Sequence, residues 1–214
     1  MILYLCIISF CTVLISTIVA PFYRMNFLNT LGYTVLAVVF VLLLDAVVAT
    51  VARLLPSKLA DHNKKIFIVS ASEKKFYEKL KIRKWKDYIP EIGQFTRFRK
   101  NKLVDPKSVE YLDRFLLESC YGEIGHFSSA ILGFLILLAY GMHKVWFAVA
   151  IPVAIINALM NLPSFIILRY NSYKLVVLRK SLLKKMKREN APTMSAMNGE
   201  LCEESALAME SVQG

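Results

Sequence analysis

The chain has 214 residues, of which 56% are hydrophobic, and its mean hydropathy is +0.48. This composition is too apolar for an ordinary water-soluble domain, so the sequence predicts a single-domain integral membrane protein. The net charge of +11 indicates loops that face anionic lipid and not a nucleic-acid surface. The four cysteines form no CxxC or Cys/His spacing, so no zinc site is predicted.

The first two apolar stretches, residues 2–23 and 27–52, are each long enough to cross a membrane as a helix. The first lacks a basic start and a small-x-small cleavage site, so it is predicted to be an uncleaved span and not a signal peptide. The second contains a single carboxylate, Asp45. The sequence leaves open whether Asp45 pairs with a Lys or His of another helix or is hydrated near the surface.

Residues 53–122 form a strongly basic segment that is predicted to be cytoplasmic. Within it, residues 72–80 begin with a capping-type sequence and carry apolar positions at helical spacing. Residues 82–90 set Trp, Tyr and Ile among Lys and Arg, which is typical of an interfacial helix with snorkelling cations. Such a helix can anchor the chain to the membrane or recognise a phosphorylated ligand, and composition alone favours anchoring.

The third predicted span, residues 123–142, follows a charged helix that starts near Pro106. Glu123 is expected at the water–lipid boundary, with His126 about 4.5 Å deeper because each helical residue rises 1.5 Å. Three residues apart, the two side chains share one helix face. Ionisable groups at this depth are costly and indicate a functional site. The alternative is a polar pair that closes a helix bundle, since Glu-x-x-His is a short and common string.

The fourth predicted span covers residues 145–168 and ends at an interfacial group, Arg169–Asn171. A basic amphipathic helix is predicted over residues 175–188. From residue 189 to residue 214 the chain has no Lys or Arg and is rich in Ser, Met, Glu and Gly. This last part is predicted to be a disordered tail, so the membrane domain comprises residues 1–188.

Basic residues are distributed very unevenly along the chain. Residues 53–114 hold 17 Lys and Arg and residues 169–188 hold 8, which leaves Arg24 and Lys144. The positive-inside rule places both basic segments, and therefore both termini, in the cytoplasm. The predicted fold is all-α: an integral membrane bundle of four transmembrane helices with an interfacial amphipathic helical segment, in a multi-pass protein of the cell membrane.

Three blocks of residues follow one another along the chain: Arg83-Lys84-Trp85-Lys86, then Glu118-x4-Glu123-x2-His126, then Asn161-x-Pro163-x5-Arg169-Tyr170-Asn171 followed by Leu175. With these blocks, the chain resembles the glycosyl-4,4′-diaponeurosporenoate acyltransferases of staphyloxanthin-type carotenoid synthesis over about residues 53–178. The resemblance implies transfer of a fatty acyl group to a sugar hydroxyl of a glycosylated carotenoid or related glycolipid. An extra leading span, an acidic tail and Ser172–Lys174 depart from the family pattern. These departures leave open the exact acceptor, or a different reaction on the same scaffold.

The resemblance implies a catalytic group on the third span. A sugar hydroxyl is a poor nucleophile at neutral pH, so a base must take its proton as it attacks an acyl thioester. His126 is the predicted base, because histidine suits this role near neutral pH. Glu123, one turn earlier, is predicted to orient the imidazole and stabilise its cation. Glu118 lies about 80° around the helix from His126 and is a less direct candidate.

The basic block is predicted to bind the acyl donor. Arg83, Lys84 and Lys86 are expected to hold the phosphates of acyl-CoA, and Trp85 to stack or anchor. The other predicted substrate-binding residues are Asn161, Arg169, Tyr170 and Asn171. The resemblance implies no metal and no cofactor, with acyl-CoA or another acyl donor as co-substrate. The expected partners are that donor, a glycolipid acceptor and membrane lipids, and not nucleic acid.

Two other interpretations remain open at the level of sequence. The chain can be a non-catalytic membrane scaffold or lipid-binding subunit whose Glu, His and Arg side chains are structural. A metal-dependent hydrolase with Glu118, Glu123 and His126 as ligands is a weaker alternative, because too few ligand types are visible.

Overall fold

The computed structural model describes residues 2–89, 105–139 and 145–210, and beyond residue 189 the description covers the backbone only. All regular elements in these ranges are helical: α1 (Ile2–Phe22), α2 (Phe27–Leu54), α3 (Ala71–Lys79), α4 (Ile82–Trp85), α5 (Val109–Leu132) and α6 (Val145–Glu210), with 3-10 turns at Lys86–Tyr88 and Gly133–Leu138. Four of the helical segments are long and apolar enough to span a membrane. The predicted all-α membrane bundle is confirmed.

The first two helices form a hairpin that packs against the start of α6. Asn26 caps α2 by accepting a hydrogen bond from the Leu28 backbone N–H at 3.0 Å. Ser16 of α1 donates to Thr34 of α2 at 3.0 Å, which satisfies two buried hydroxyls between apolar helices. The main apolar core lies where this hairpin meets α6; it comprises Ile15, Val19, Ala37, Val41, Ile136, Val145, Trp146, Val149, Ala150, Val153 and Ala154.

Helix α5 begins well before the apolar stretch that it carries. Ser108 caps it by accepting a hydrogen bond from the Tyr111 backbone N–H at 3.1 Å. The helix therefore starts 14 residues before residue 123, where the sequence places the third span. The charged first part of α5 is helical because its other face is apolar and packs on α6, with Leu112 and Leu116 against Leu175. The predicted end of this span, residues 140–142, lies outside the described residues.

Helix α6 is continuous where the sequence predicts three separate parts. It runs from Val145 through Arg169 and the amphipathic stretch at 175–188, so that stretch is not a separate helix. Its backbone is also helical to Glu210, across most of the segment predicted to be disordered. The continuity through residues 175–188 has a physical reason, because this stretch contains many Leu and Lys residues, which favour a helix once a preceding helix supplies the nucleus. The tail contains Pro192 and Gly199, which oppose a helix, and its disorder stays a prediction.

The two short helices dock on α6 at the end of the membrane bundle. Ser70 caps α3 by accepting a hydrogen bond from the Glu73 backbone N–H at 3.1 Å. Lys81, which has a left-handed backbone conformation, turns the chain from α3 into α4. An apolar cluster attaches both short helices to α6; it comprises Tyr77, Ile82, Ile167 and Tyr170. Helices α3, α5 and α6 meet around Arg169. Helices α2, α5 and α6 meet around Asn161.

Candidate active site

Arg169 lies where α3, α5 and α6 meet and is only 9% exposed. Its Nε donates to Glu73 Oε1 and its Nη2 donates to Glu73 Oε2 at 3.0 Å, so this pair is bidentate. Its Nη1 donates to Glu123 Oε2 at 3.1 Å. Bidentate Arg–carboxylate pairs combine strength with a fixed geometry. We call Arg169, Glu73 and Glu123 the arginine cluster; it joins three helices through one guanidinium group.

The remaining polar atoms of the arginine cluster are also hydrogen-bonded. Arg169 Nη1 donates to the Ile66 carbonyl at 2.8 Å. The Ser172 hydroxyl donates to Glu123 Oε1 at 2.9 Å, and the Tyr77 hydroxyl donates to Glu73 Oε1. A buried ion cluster is tolerated when its charges are paired and its lone pairs are satisfied, as they are here. Each nitrogen of the Arg169 guanidinium therefore donates to the protein, and the predicted substrate-binding role of this residue stays a prediction.

The protonation states of Glu73 and its partner Tyr77 follow from these contacts. Partial burial alone would raise the pKa of Glu73, but the hydrogen bonds from Arg169 and Tyr77, together with the Arg169 charge, lower that pKa below its usual range. Burial and the hydrogen bond to Glu73 raise the pKa of Tyr77. At neutral pH Glu73 is therefore ionised and Tyr77 is a neutral donor, which is the state that the geometry requires.

A second polar group lies deeper in the bundle, where α2, α5 and α6 meet. His126 Nδ1 and Asn161 Oδ1 are 2.9 Å apart. The Asn161 amide nitrogen donates to Asp45 Oδ2 at 3.1 Å and to Asn157 Oδ1 at 3.0 Å. Asn157 donates in turn to Asp45 Oδ1 at 3.4 Å and to the Ser129 carbonyl at 3.2 Å. We call Asp45, Asn157, Asn161 and His126 the amide network.

The amide network determines which ring nitrogen of His126 carries a proton. A carboxylate only accepts hydrogen bonds, so Asp45 turns the NH₂ side of the Asn161 amide toward itself. The Asn161 oxygen then faces His126 and can only accept, which means that Nδ1–H is the donor. In neutral histidine the basic lone pair is then on Nε2. The hydrogen bonds from Asp45 through Asn161 can therefore hold the His126 imidazole in one orientation and one tautomer.

Close packing holds the network in place. A Cβ atom added to Gly133 would lie 2.5 Å from the Asn157 amide nitrogen, so a larger residue there would displace that amide from its hydrogen bonds. A Cβ atom on Gly122 would lie 2.8 Å from the end of the Leu168 side chain. The two glycines therefore leave room for side chains of α6 next to the network.

The structure separates the Glu123/His126 pair on which the sequence-based mechanism depends. The two residues share a face of α5, but the hydrogen bonds described for Glu123 connect it to Arg169 and Ser172, while Asn161 is the partner of His126 Nδ1. Glu118 is half-buried, and no hydrogen bond or ion pair is found for it within the described ranges. In the same ranges, no three His, Cys, Asp or Glu side chains are placed to hold a metal ion.

Some of the predicted substrate-binding residues do come together in one cavity. Arg83, Lys84 and Tyr170 line a cavity of about 500 Å3 between the short helices and α6. Trp85 packs beside the apolar cluster under α3 and α4, and its indole N–H donates to the Leu80 carbonyl at 2.9 Å. The four other predicted residues lie elsewhere. Lys86 and Asn171 are half-buried, on the 3-10 turn and on α6, Asn161 belongs to the amide network and Arg169 belongs to the arginine cluster.

Three members of the two centres, Glu73, Asp45 and Asn157, were not among the site residues predicted from the sequence. Glu73 occupies a helix-capping position, which gives no sign of a partner 96 residues away. Asp45 does give a signal, because a carboxylate inside an apolar stretch requires a partner. The partners turn out to be amides and not the Lys or His that the sequence suggested.

A comparison with protein families is decisive at this point. The model of the glycosyl-4,4′-diaponeurosporenoate acyltransferase family matches residues 61–181, which is more than half of the chain. The chain belongs to this family. It is therefore an acyltransferase of a family that acts in carotenoid biosynthesis, and its four candidate spanning helices make it a multi-pass membrane protein. No curated protein and no solved structure matches the chain significantly.

The region matched by the family model includes all of the arginine cluster and only part of the amide network of this acyltransferase. All three members of the arginine cluster lie within residues 61–181, as do His126, Asn157 and Asn161. Asp45 lies before the matched region, on α2. The predicted resemblance is confirmed, and the fourth member of the amide network is an addition from the structure.

Proposed function

We propose that this acyltransferase moves a fatty acyl group from a thioester donor to a sugar hydroxyl of a glycosylated carotenoid. The acceptor class follows from the family description. The single observation that supports the chemistry is the chain of hydrogen bonds from Asp45 through Asn161 to His126 Nδ1. It leaves the basic lone pair of a half-buried histidine on Nε2, inside a protein whose family catalyses acyl transfer.

The proposed reaction begins with His126 as general base. Nε2 takes the proton of the sugar hydroxyl while the hydroxyl oxygen attacks the thioester carbonyl carbon. The tetrahedral intermediate collapses by breaking its carbon–sulfur bond, and the thiolate leaves with the proton that Nε2 then returns. During this cycle the imidazolium Nδ1–H donates to Asn161 Oδ1, and the Asp45 charge polarises that amide.

In this proposal Glu123 has a different role from the one that the sequence suggested. Its carboxylate pairs with Arg169 and Ser172, one helical turn before His126. A fixed ion pair between α5 and α6 sets the rotation and depth of α5, and so the position of the imidazole. Glu123 and Arg169 are therefore positioning residues in the proposal, and they do not touch the reacting atoms.

We place the reaction at the cytoplasmic face of the membrane, with both termini in the cytoplasm. The support is the charge distribution, since 25 of the 27 Lys and Arg fall in the two segments on one side. A cysteine introduced at Asn26 should react with an impermeant label added outside intact cells, and one at Ser108 should not. Outside labelling at Ser108 would refute this orientation.

The function is tested with the purified full-length protein in proteoliposomes. The substrates are a radiolabelled fatty acyl thioester and either a glycosylated carotenoid acid or the same acid without its sugar. We expect an ester to form on the sugar and no product from the sugar-free acid. Equal acylation without the sugar, or no product from either acceptor with several acyl thioesters, would contradict the proposal.

A further inference from the structure

The cavity between α3, α4 and α6 has the charge of an anion-binding site. Five of the side chains that line it are cationic, and Glu78 is the one acidic group among them. The cations come from two directions: Lys74, Lys81, Arg83 and Lys84 from the short helices and Lys174 from α6. A concave surface lined by one sign of charge concentrates ligands of the opposite sign. The volume of about 500 Å3 is within the range of small-molecule sites.

Two tyrosines of α6 give this cavity flat aromatic walls. Lys174 Nζ lies 4.2 Å from the centre of the Tyr170 ring, and Lys74 Nζ lies 4.9 Å from the centre of the Tyr173 ring. Such contacts hold an ammonium group beside a ring face. Tyr170 is 95% buried in the packing between α4 and α6, so its ring is a fixed part of the wall. Cations beside aromatic faces suit a ligand that has phosphates and a planar base.

The backbone between α3 and α4 turns so that three cations face one opening. Lys81 has a left-handed backbone conformation, with φ 52° and ψ 38°. It follows the C-cap residue Leu80, a position where helices commonly end in this conformation. The Lys84 N–H donates to the Lys81 carbonyl at 2.8 Å, which closes the turn. The turn places the side chains of Lys81, Arg83 and Lys84 around one opening.

The position of the cavity along α6 relates it to the amide network. Tyr170 is nine residues and Lys174 is 13 residues beyond Asn161 on the same helix. At 1.5 Å per residue, these separations are about 14 Å and about 20 Å along the axis, and at 3.6 residues per turn Tyr170 lies about 180° around the helix from Asn161. A ligand anchored by its phosphates in the cavity thus needs a long and thin arm to bring a thioester to His126. The pantetheine chain of coenzyme A is such an arm.

We infer that the cavity binds the phosphorylated nucleotide end of a coenzyme A thioester, and that its pantetheine arm passes around α6 toward His126. This inference rests on the proposed function and names the acyl donor for it. The cations pair with the diphosphate and the 3′-phosphate, and the half-buried ring of Tyr173 faces the adenine. Anionic phospholipid carries the same phosphate chemistry, and the test separates the two sources.

The test measures binding of coenzyme A to the full-length protein in detergent by isothermal titration calorimetry. The double variant Arg83→Gln/Lys84→Gln removes two exposed cations from the cavity. The matched control, Lys184→Gln/Lys187→Gln, removes two exposed cations from another basic surface of α6. We expect the cavity variant to weaken binding by at least about tenfold, since one lost charge-assisted hydrogen bond has this effect. The control should stay within about twofold, as expected for surface charges away from the ligand.

Three results would overturn the inference. Equal weakening in the cavity variant and the control would reduce the binding to general attraction between charges. Displacement of coenzyme A by vesicles of anionic phospholipid, with transfer of acyl groups from those vesicles, would assign the cavity to lipid. Undetectable binding of coenzyme A, with transfer from an acyl carrier protein, would assign the donor to a protein.

The two proposals fail separately. If acyl transfer to the sugar proceeds but coenzyme A does not bind in the cavity, the inference about the donor is wrong and the proposed function stands. If coenzyme A binds and the cavity variant weakens it, but no sugar is acylated, the cavity assignment stands and the proposed acceptor is wrong. Melting temperatures equal to wild type confirm that both double variants are folded.

Discussion

The arginine cluster and the amide network both depend on α6, yet they differ in the kind of polar group that they use. The cluster joins helices through fixed charges, with Arg169 between Glu73 and Glu123. The network joins helices through neutral amides and ends at an imidazole. A guanidinium never loses its proton in a protein, whereas an imidazole does so near neutral pH. The comparison teaches that burial and hydrogen bonding alone do not distinguish a structural polar centre from a catalytic one, and the proposal assigns the base to the network because the imidazole is there.

The largest effect should come from the imidazole. His126→Gln keeps a hydrogen-bonding side chain but cannot accept a proton, so the rate should fall by about 10² to 10⁴. The measurement is acylated acceptor formed per folded molecule, with the melting temperature as a check on folding. His62→Gln, in the segment between α2 and α3, is the matched control and should keep full activity. Full specific activity in His126→Gln would remove the proposed base from the mechanism.

The next effect concerns stability and separates the two centres. Arg169→Gln leaves two carboxylates without their counterion, one of them Glu123 with only 2% exposure. Breaking a buried pair in this way costs about 3–5 kcal/mol. Arg179→Gln breaks the more exposed ion pair with Asp113 and should cost only about 0–1 kcal/mol. Chemical denaturation in detergent measures both, and equal losses would show that the arginine cluster has no special structural role.

A smaller effect is expected from the far end of the amide network. Asp45→Asn keeps the shape but removes the charge that polarises Asn161, so the rate should fall by about tenfold to a hundredfold, or ~1.4 to ~2.7 kcal/mol. The rate per folded molecule measures this effect, with the melting temperature as a check on folding. An unchanged rate in Asp45→Asn would mean that the charge of Asp45 does not act on His126.

The smallest effect should appear in the pH dependence of stability. The folded-state pKa of Glu73 is lowered, so its pairing contributes stability above its unfolded pKa of about 4.3. This contribution is lost as the pH falls through the lower folded-state value. In wild type, the melting temperature should therefore drop below about pH 4.3, and Glu73→Gln should be less stable at pH 7 with a smaller drop. Parallel pH curves for the two proteins would contradict this assignment.

The sequence predicted the helices better than their partners. Apolar length and charge distribution are local properties, and they were sufficient for the all-α class and the four spans. The partner of Glu123 could not be predicted in the same way. Helical spacing suggested His126, three residues away, but the bond is made by Arg169, which is 46 residues away on another helix. Rotation between helices depends on close contacts such as Gly133 against Asn157, and periodicity does not encode these contacts.

The position of Arg169 late in the chain affects how the protein is made. During synthesis Glu123 enters the membrane boundary on α5 before the ribosome has produced its counterion on α6. A nascent chain that stops before Arg169 therefore has a carboxylate without a partner where lipid replaces water, which is unfavourable. Helices α5 and α6 should for this reason enter the bilayer together as a hairpin. Chains shortened before Arg169 should therefore be degraded by membrane proteases and should not persist as stable three-helix proteins.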